Sequence, residues 1–200
     1  MTAVTVSAAI SIALLCAAAV FFFRRSFHQR AELRRLEAEL DRLRQEAGRM
    51  DLDTLTGLEN RAALARWIEE ERGFEGQVVV CDLDDFKALN DRYGHLVGDE
   101  ILHGVGQLIR ASIRQEDRGY RWGGDEFVIF FRNSERAVVE TRVQELEERL
   151  VKFQIRNHGP VPIRFSWGMA ATASRPLQES LDEADRLMLE AKRRRQGGDR

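Results

Sequence analysis

The stretch Arg121-Trp122-Gly123-Gly124-Asp125-Glu126-Phe127 places two adjacent glycines and two adjacent carboxylates between apolar segments. The flanking segments, residues 118–122 and 127–132, have the composition of β-strands. A Gly-Gly pair between two strands predicts a hairpin, because glycine accepts a positive φ without steric cost. It also leaves the tip of the turn without side chains, so a bulky polyanion can approach the backbone.

The two acids after the turn, Asp125 and Glu126, repel each other unless a cation offsets their charge. A divalent metal ion is the simplest such cation. The alternative is a charged, solvent-exposed hairpin tip that binds nothing. The hairpin taken alone leaves both interpretations open.

A third acid follows the apolar run of residues 77–83, QVVVCDL, which is typical of a strand buried on both faces. Asp82 stands at the end of this run, where ligand groups collect in sheets covered by helices. A carboxylate there is expensive to bury without a partner, so it either shares a cation with the hairpin acids or caps a helix beginning near Phe86. Asp84 or Asp85 could equally supply that cap.

The remaining segments predict an α/β (α+β) domain in which helices flank a central sheet. Helices are predicted over residues 61–72 (capped by Asn60), 86–92, 99–114, 135–153 and 177–195, and a further strand over 161–171. A chain of 200 residues fits one such domain plus a smaller part. The net charge of −2 gives no indication of a nucleic-acid partner. The two cysteines, Cys16 and Cys81, have no evident partner and are expected to be reduced.

The amino-terminal part predicts membrane attachment. Val4 to Phe23 carries neither charge nor proline and is long enough to span a bilayer, and Arg24 and Arg25 follow at once. A cleaved signal peptide normally carries its positive charge before the apolar core instead. We therefore predict that residues 1–23 form a single-pass anchor in the inner (cytoplasmic) membrane. By the positive-inside rule, the rest of the chain lies in the cytoplasm.

Residues 24–50 predict a helix that pairs with a second copy. A narrow apolar stripe recurs every three or four positions, at Leu33, Leu36, Leu40, Leu43, Ala47 and Met50. Such a stripe favours a parallel two-stranded coiled coil and hence a homodimer. The alternative is a solvated linker helix packing on its own domain. The catalytic domain is predicted over residues 51–196, with a short tail over 197–200.

Three motifs together resemble the GGDEF family, the diguanylate cyclases. Residues 123–127 match its signature letter for letter, and residues 53–61, DTLTGLENR, are similar to its DxLTGLxNR opening. Residues 82–102, DLDDFKALNDRYGHLVGDEIL, agree with its DxDxFKxxNDxxGHxxGDxxL block at every specified position. The resemblance runs from about Asp53 to Lys192. It implies a palm-like nucleotide cyclase domain.

The resemblance also implies roles for matched residues. The metal ligands, for Mg²⁺ or Mn²⁺, would be Asp82, the Leu83 carbonyl, Asp125 and Glu126. The residues that bind substrate would be Asn90, His95, Asp99, Lys192, Gly123 and Gly124, and the catalytic ones Asp125, Glu126 and Lys87. Recognition of guanine is implied for Asn90 and Asp99. An aspartate can accept from both the ring N–H and the exocyclic amine of guanine, and adenine lacks that donor pair.

Arg114-Gln115-Glu116-Asp117 precedes Gly123 by the offset of the family's inhibitory product site. In such a site the arginine clamps a phosphate and stacks on a purine, while the aspartate accepts from a guanine edge. The alternative is an arginine at a helix end and an ordinary aspartate at the start of a strand.

The last helix departs from the family pattern. Leu189 stands where the family usually has tyrosine, and Arg195-Gln196-Gly197 stands in place of its Gly-Arg-Asn. A second phosphate-binding arginine is therefore missing from its usual place. The sequence leaves open whether Arg193, Arg194 or Arg195 substitutes for it.

The activity implied is condensation of two GTP into cyclic di-GMP and two pyrophosphates by a membrane-anchored dimer, with inhibition by the product. Each domain of the family grips one GTP, so two domains must face each other. The alternative is a catalytically inactive, membrane-tethered receptor that binds cyclic di-GMP at Arg114 and Asp117. A third interpretation, a coiled-coil membrane scaffold, leaves the carboxylates unexplained.

Overall fold

The computed structural model describes residue 35 and residues 51–155, 159–173 and 175–198. The predicted membrane anchor and, apart from Arg35, the predicted coiled coil lie outside the described residues, so both stay predictions. Within the described residues, no helix combines the length and the apolar character needed to cross a bilayer. The residues from Asp51 onward belong to one compact unit, Met50–Arg200.

The described residues of this unit form five helices and seven strands. The helices are α1 (Arg61–Glu70), α2 (Phe86–Tyr93), α3 (His95–Ser112), α4 (Arg136–Val151) and α5 (Leu177–Gly198). The strands are β1 (Glu59–Asn60), β2 (Gly76–Leu83), β3 (Arg118–Arg121), β4 (Glu126–Arg132), β5 (Gln154–Ile155), β6 (Gly159–Pro160) and β7 (Phe165–Ala171).

The main sheet has the strand order β1-β3-β4-β2-β7, and β5 pairs with β6 in a separate two-stranded sheet. The predicted strands and the hairpin between β3 and β4 are confirmed, and β2 is antiparallel to both β4 and β7. The short strands β1, β5 and β6 were not predicted, because two residues are too few to show a periodicity.

Helices cover both faces of this sheet, as expected for the mixed α/β class. Side chains alternate along β2, so Val79 and Cys81 pack with α3 and α4, whereas Val78 and Val80 pack with α1 and α5. Burial on both faces explains the continuous apolar run of β2. Asp82 falls on the face of Val78 and Val80, which is the face that α5 covers.

Two predicted boundaries are wrong by four residues each. Helix α3 begins at His95 and not at residue 99, because Gly94 adopts a φ of 86° that separates it from α2 within a single residue. Strand β7 begins at Phe165 and not at residue 161. The N–H groups of Val161 and Ile163 donate to the carbonyls of Phe153 and Leu150, so this segment is bonded to the end of α4 and its following loop instead of to the sheet.

Candidate active site

Acidic residues from two neighbouring strands meet where β2 ends and β4 begins. Asp82 lies directly opposite Glu126 in the antiparallel register, so both side chains leave the same face of the sheet. The backbone N–H of Leu83 donates to the Asp125 carbonyl at 3.2 Å, which ties the hairpin turn to the end of β2. The structure therefore brings together the four residues predicted as metal ligands.

These carboxylates perturb one another's protonation. Burial raises the pKa of Asp82; a hydrogen bond and charge attraction from Lys192 oppose this rise, while Asp125 and Asp84 add to it. Burial likewise raises the pKa of Glu126, and the charges of Asp82 and Asp125 raise it further. Negative charge thus exceeds positive charge at this end of the sheet.

Lys192 of α5 supplies the cation at this site. Its ammonium group forms an ion pair with the carboxylate of Asp82. Burial alone would lower the pKa of Lys192, but the hydrogen bond and charge of Asp82 outweigh burial and raise it. The predicted phosphate contact of Lys192 and the predicted metal contact of Asp82 therefore lie next to each other.

The two hairpin glycines serve different purposes, and only one of the two predicted reasons for them holds. Gly123 and Gly124 are absent from the positive-φ glycines of the described residues, so the predicted conformational reason is wrong. A Cβ on Gly123 would lie 2.3 Å from Oε2 of Glu126, which means that the glycine makes room for that carboxylate. A Cβ on Gly124 would meet nothing within 4 Å, so the tip is bare there, as predicted.

Arg121 fixes the turn, and the sequence analysis gave it no role. Its guanidinium donates to the carbonyl of Gly123 at 3.2 Å and to that of Gly124 at 2.7 Å. Nη1 of Arg121 also donates to the Asp53 carboxylate at 3.1 Å. Burial would raise the pKa of Asp53, but hydrogen bonds from Thr56 and the charge of Arg121 lower it. An arginine two residues before a Gly-Gly pair was the available signal.

The helix pair α2–α3 forms the region predicted to hold guanine. Oδ1 of Asn90 is buried and has no hydrogen-bond partner within the described residues. A Cβ on Gly98 would lie 1.9 Å from that oxygen, so α3 passes Asn90 closely, one residue before Asp99. A buried acceptor without a donor is costly and is a common sign of an unfilled ligand site. Lys87, His95 and Asp99 are exposed on the surface of the same two helices.

Asp82 does not cap a helix, which removes one alternative. The N-cap position of α2 is Asp85, which has a φ of 54° and makes no capping hydrogen bond with its side chain. Asp84 instead accepts a hydrogen bond from Oγ of Ser166 at 2.7 Å.

The four predicted metal ligands do not form a complete metal site by themselves. Among the described residues, no three His, Cys, Asp or Glu side chains converge closely enough to hold a metal ion alone. Asp82, Leu83, Asp125 and Glu126 nevertheless offer only hard oxygens, and they carry excess negative charge. Mg²⁺ usually binds through one or two carboxylates and completes its shell with water and substrate phosphates. The residues present therefore fit a metal ion that arrives with a nucleotide.

The predicted product site looks different. The side chain of Asp117 has 0% exposure, and its oxygens accept from the backbone N–H of Arg114 at 2.9 Å and of Arg132 at 3.0 Å. Arg142 adds an ion pair at 3.4 Å. The Arg114 side chain is exposed, 3.8 Å from Glu116. A cavity of about 460 Å³ adjoins Asp117. Product binding at this place remains a prediction.

A family sequence model and several known diguanylate cyclases match this chain. The family sequence model described as "Diguanylate cyclase, GGDEF domain" matches residues 50–198. The chain is 48% identical over 83 residues to diguanylate cyclase DgcS of Shewanella oneidensis, covering 38% of this chain and 28% of DgcS. It is 31% identical over 168 residues to diguanylate cyclase VdcA of Vibrio cholerae, covering 80% of this chain and 49% of VdcA. The chain thus spans less than half the length of either relative.

A solved structure has the same fold. The coiled coil and GGDEF domain of DgcB from Caulobacter crescentus, in complex with c-di-GMP, superposes with a TM-score of 0.67 at 27% identity. The match covers 84% of this chain and 93% of that chain.

Proposed function

Because the chain belongs to the GGDEF family, whose sequence model matches residues 50–198, we propose that it is a diguanylate cyclase that condenses two GTP into cyclic di-GMP and two pyrophosphates. The observation that carries this proposal is the position of Asp82 directly opposite Glu126, with Asp125 in the adjoining turn and Lys192 paired with Asp82.

The guanine base is assigned to the α2–α3 pair. Asn90 and Asp99 read its Watson–Crick edge, and the orphaned Oδ1 of Asn90 gains the donor it lacks. His95 lines the same pocket, and Lys87 stabilises charge on the phosphates. An adenine base would leave the Asp99 carboxylate unsatisfied, so selection of GTP over ATP follows.

The triphosphate is assigned to the strand ends and the hairpin tip. Asp82, the Leu83 carbonyl, Asp125 and Glu126 would hold Mg²⁺ or Mn²⁺, which would lower the pKa of a ribose 3′-hydroxyl and shield the attacked α-phosphate. The bare backbone at Gly124 lets the phosphates approach the turn that Arg121 holds.

Proton transfer falls to the hairpin acids. Asp125, together with Glu126, accepts the proton of the attacking hydroxyl. Both acids stand next to the bare turn at Gly124, where the phosphates are assigned, so they lie on the side of the attacking hydroxyl. Lys192 exchanges its ion pair with Asp82 for the terminal phosphates, so the ammonium stays paired throughout.

The reaction joins two nucleotides held by two domains, so the active species in this proposal is a homodimer. The membrane anchor over residues 1–23 and the coiled coil over residues 24–50 raise the effective concentration of one domain near the other. Deleting residues 1–50 should then lower the specific activity at low protein concentration. Undiminished activity in that deletion variant would contradict this part.

Feedback by the product is proposed at Arg114 and Asp117, beside the cavity of about 460 Å³. The guanidinium of Arg114 is exposed and pairs only loosely with Glu116, at 3.8 Å, so it can turn to clamp a phosphate. Asp117 has to exchange its 3.4 Å contact with Arg142 for a guanine edge. Adding cyclic di-GMP should therefore slow turnover in the unmodified chain and have less effect in Arg114→Ala.

The direct test of the activity is incubation of the 200-residue chain with GTP and Mg²⁺. Pyrophosphate and a cyclic dinucleotide should appear together, and Asp125→Ala should abolish both. GTP or cyclic di-GMP binding without turnover would instead favour an inactive receptor tethered to the membrane.

A further inference from the structure

Arg195 near the end of α5 joins three separate parts of the domain. Its Nη1 donates to Oδ2 of Asp84 at 3.0 Å and to the carbonyl of Phe165 at 2.9 Å. Its Nη2 donates to Oε1 of Glu147 at 2.7 Å. One guanidinium therefore links the loop after β2, the start of β7 and helix α4. Arginine suits such a place, because its planar fork can serve several acceptors at once.

Asp84 is held through both of its carboxylate oxygens. Oδ1 accepts from the hydroxyl of Ser166 at 2.7 Å, and Oδ2 accepts from Arg195. The backbone N–H of Asp84 donates to the carbonyl of Arg164 at 2.9 Å. The loop that leads from Asp82 into α2 is consequently fixed at its centre.

Arg195 and Lys192 act on the same site from the same helix. Residues three apart lie on one face of a helix, and these two form ion pairs with Asp84 and Asp82, which lie two residues apart on the chain. Helix α5 is thus clamped to the carboxylate site at two points.

We propose that Arg195 is a positioning residue for the metal and triphosphate site: it holds the Asp82–Asp84 loop against α5 and sets the reach of Lys192, and it does not itself bind phosphate. The inference rests on the proposed function, because it assigns the residue to that reaction's site. A phosphate-binding role would require the guanidinium to leave Asp84, Glu147 and the Phe165 carbonyl together.

The experiment compares Arg195→Gln with Arg194→Gln in the full chain. Arg194 is the matched control, because it is an exposed arginine on the same turn whose side chain, among the described residues, bonds only the Glu190 carbonyl of its own helix, at 3.3 Å. Loss of a residue that orients metal ligands typically lowers metal affinity or activity by about 10- to 100-fold. We expect Arg195→Gln to lower kcat and the affinity for Mn²⁺ in the presence of a non-hydrolysable GTP analogue by about 10-fold, in the lower part of that range. The KM for GTP should change by a smaller factor than kcat, because Arg195 does not itself contact phosphate and Lys192 keeps its charge.

Two further variants, together with thermal unfolding, distinguish a loss of positioning from a loss of folding. Arg195→Lys keeps one charge but cannot reach three acceptors, so partial recovery is expected. Ser166→Ala removes the other bond to Asp84, and it should lower Mn²⁺ affinity in the same direction by a smaller factor. Thermal unfolding of each variant shows whether the domain is intact.

Two results would overturn the inference. An increased KM and a lost preference for GTP over GDP, with kcat unchanged, would make Arg195 a phosphate ligand. Unchanged kcat and Mn²⁺ affinity in Arg195→Gln would make the three contacts irrelevant to the site. Mn²⁺ and fluorescent-nucleotide binding require no turnover, so the inference is testable even if the unmodified chain makes no cyclic di-GMP, which would refute only the proposed activity.

Discussion

Asp82 and Asp117 are both buried aspartates, with 7% and 5% of the whole residue exposed, yet their surroundings differ. Asp82 has one cationic partner, Lys192, and the charges of Asp84 and Asp125 near it. The contacts of Asp117 within the described part of the chain are all donors, namely two backbone N–H groups and the guanidinium of Arg142. The first environment leaves demand for a further cation, whereas the second leaves none.

This difference shows what separates a carboxylate that still needs a cation from one whose charge is already balanced by donors. Burial does not separate them, because both are buried, and residue type does not either. What separates them is the number of hydrogen-bond donors and cations around each carboxylate compared with the number of negative charges near it. The predictions below test this contrast in order of decreasing expected effect.

Asp125→Ala should have the largest effect. We expect activity to fall by about 10³-fold, because the variant loses both a proton acceptor and a metal ligand. Its thermal stability should be unchanged or slightly higher, since the charge that raises the pKa of Asp82 and Glu126 is gone. Glu145→Ala, on the exposed side of α4, is the control. A variant that unfolds at a clearly lower temperature would show that Asp125 is structural.

Asp117→Asn should mainly cost stability. In this variant, Arg142 and two backbone N–H groups meet an uncharged amide, which has one acceptor oxygen fewer and N–H donors of its own. We therefore expect a loss of about 3 kcal/mol in the free energy of unfolding. Denaturant titration measures it, with Glu116→Gln as the exposed control. Equal stability of the two variants would remove the contrast between Asp117 and Asp82.

The two glycines of the turn offer a matched pair. Gly123→Ala should displace the Glu126 carboxylate, because its Cβ would lie 2.3 Å from Oε2, and should lower kcat and Mn²⁺ affinity by about 10-fold. Gly124→Ala meets open space, so Mn²⁺ affinity should hold while the KM for GTP rises. Steady-state kinetics and Mn²⁺ titration separate the two variants. Identical behaviour would mean that Glu126 does not depend on Gly123.

Lys192→Met should change metal binding in opposite directions with and without nucleotide. Without nucleotide, Lys192 competes with a cation for Asp82, so the variant should bind Mn²⁺ about fivefold more tightly, equivalent to about 1 kcal/mol. With GTP, the variant should bind nucleotide more weakly, since a phosphate contact is lost. Paramagnetic resonance of free Mn²⁺ measures the binding of the metal ion with and without nucleotide. Weaker Mn²⁺ binding in the absence of nucleotide would contradict the competition.

The smallest effect is expected in the chemical labelling of the Cys81 thiol. Burial, followed by the charge of Asp82, raises the pKa of its thiol from 9.0 to about 12. At pH 8 the thiol therefore stays protonated in the folded chain, and iodoacetamide should leave the Cys81 peptide unlabelled until denaturant is added. Stability linked to this group is complete below pH 9 and is lost as the pH rises toward 12. Rapid labelling of the native chain would show that the end of β2 is open.

The sequence predicted the longer strands well, for identifiable reasons, and it placed Asp82 near Glu126, whereas the binding roles of these acids stay predictions. The apolar run of β2 and the apolar run of β4 after Gly124 are local features of the sequence, so both strands could be predicted. The order of the motifs along the chain then places Asp82 near Glu126. The roles of Arg121 and Arg195 were not predictable, because each depends on which carbonyls and carboxylates the fold brings near a long side chain. The same holds for Gly123, whose reason is the position of the Glu126 carboxylate and not its own backbone angle.

The central claim is that the acids at the ends of β2 and β4 hold a metal ion with the substrate. Anomalous diffraction at the manganese edge, from crystals of the chain soaked with Mn²⁺ and a non-hydrolysable GTP analogue, tests it most directly. We predict a peak in contact with the carboxylates of Asp82 and of Asp125 or Glu126, with Lys192 moved onto the phosphates. A bound nucleotide with no peak there, or with Lys192 still on Asp82, would contradict the claim.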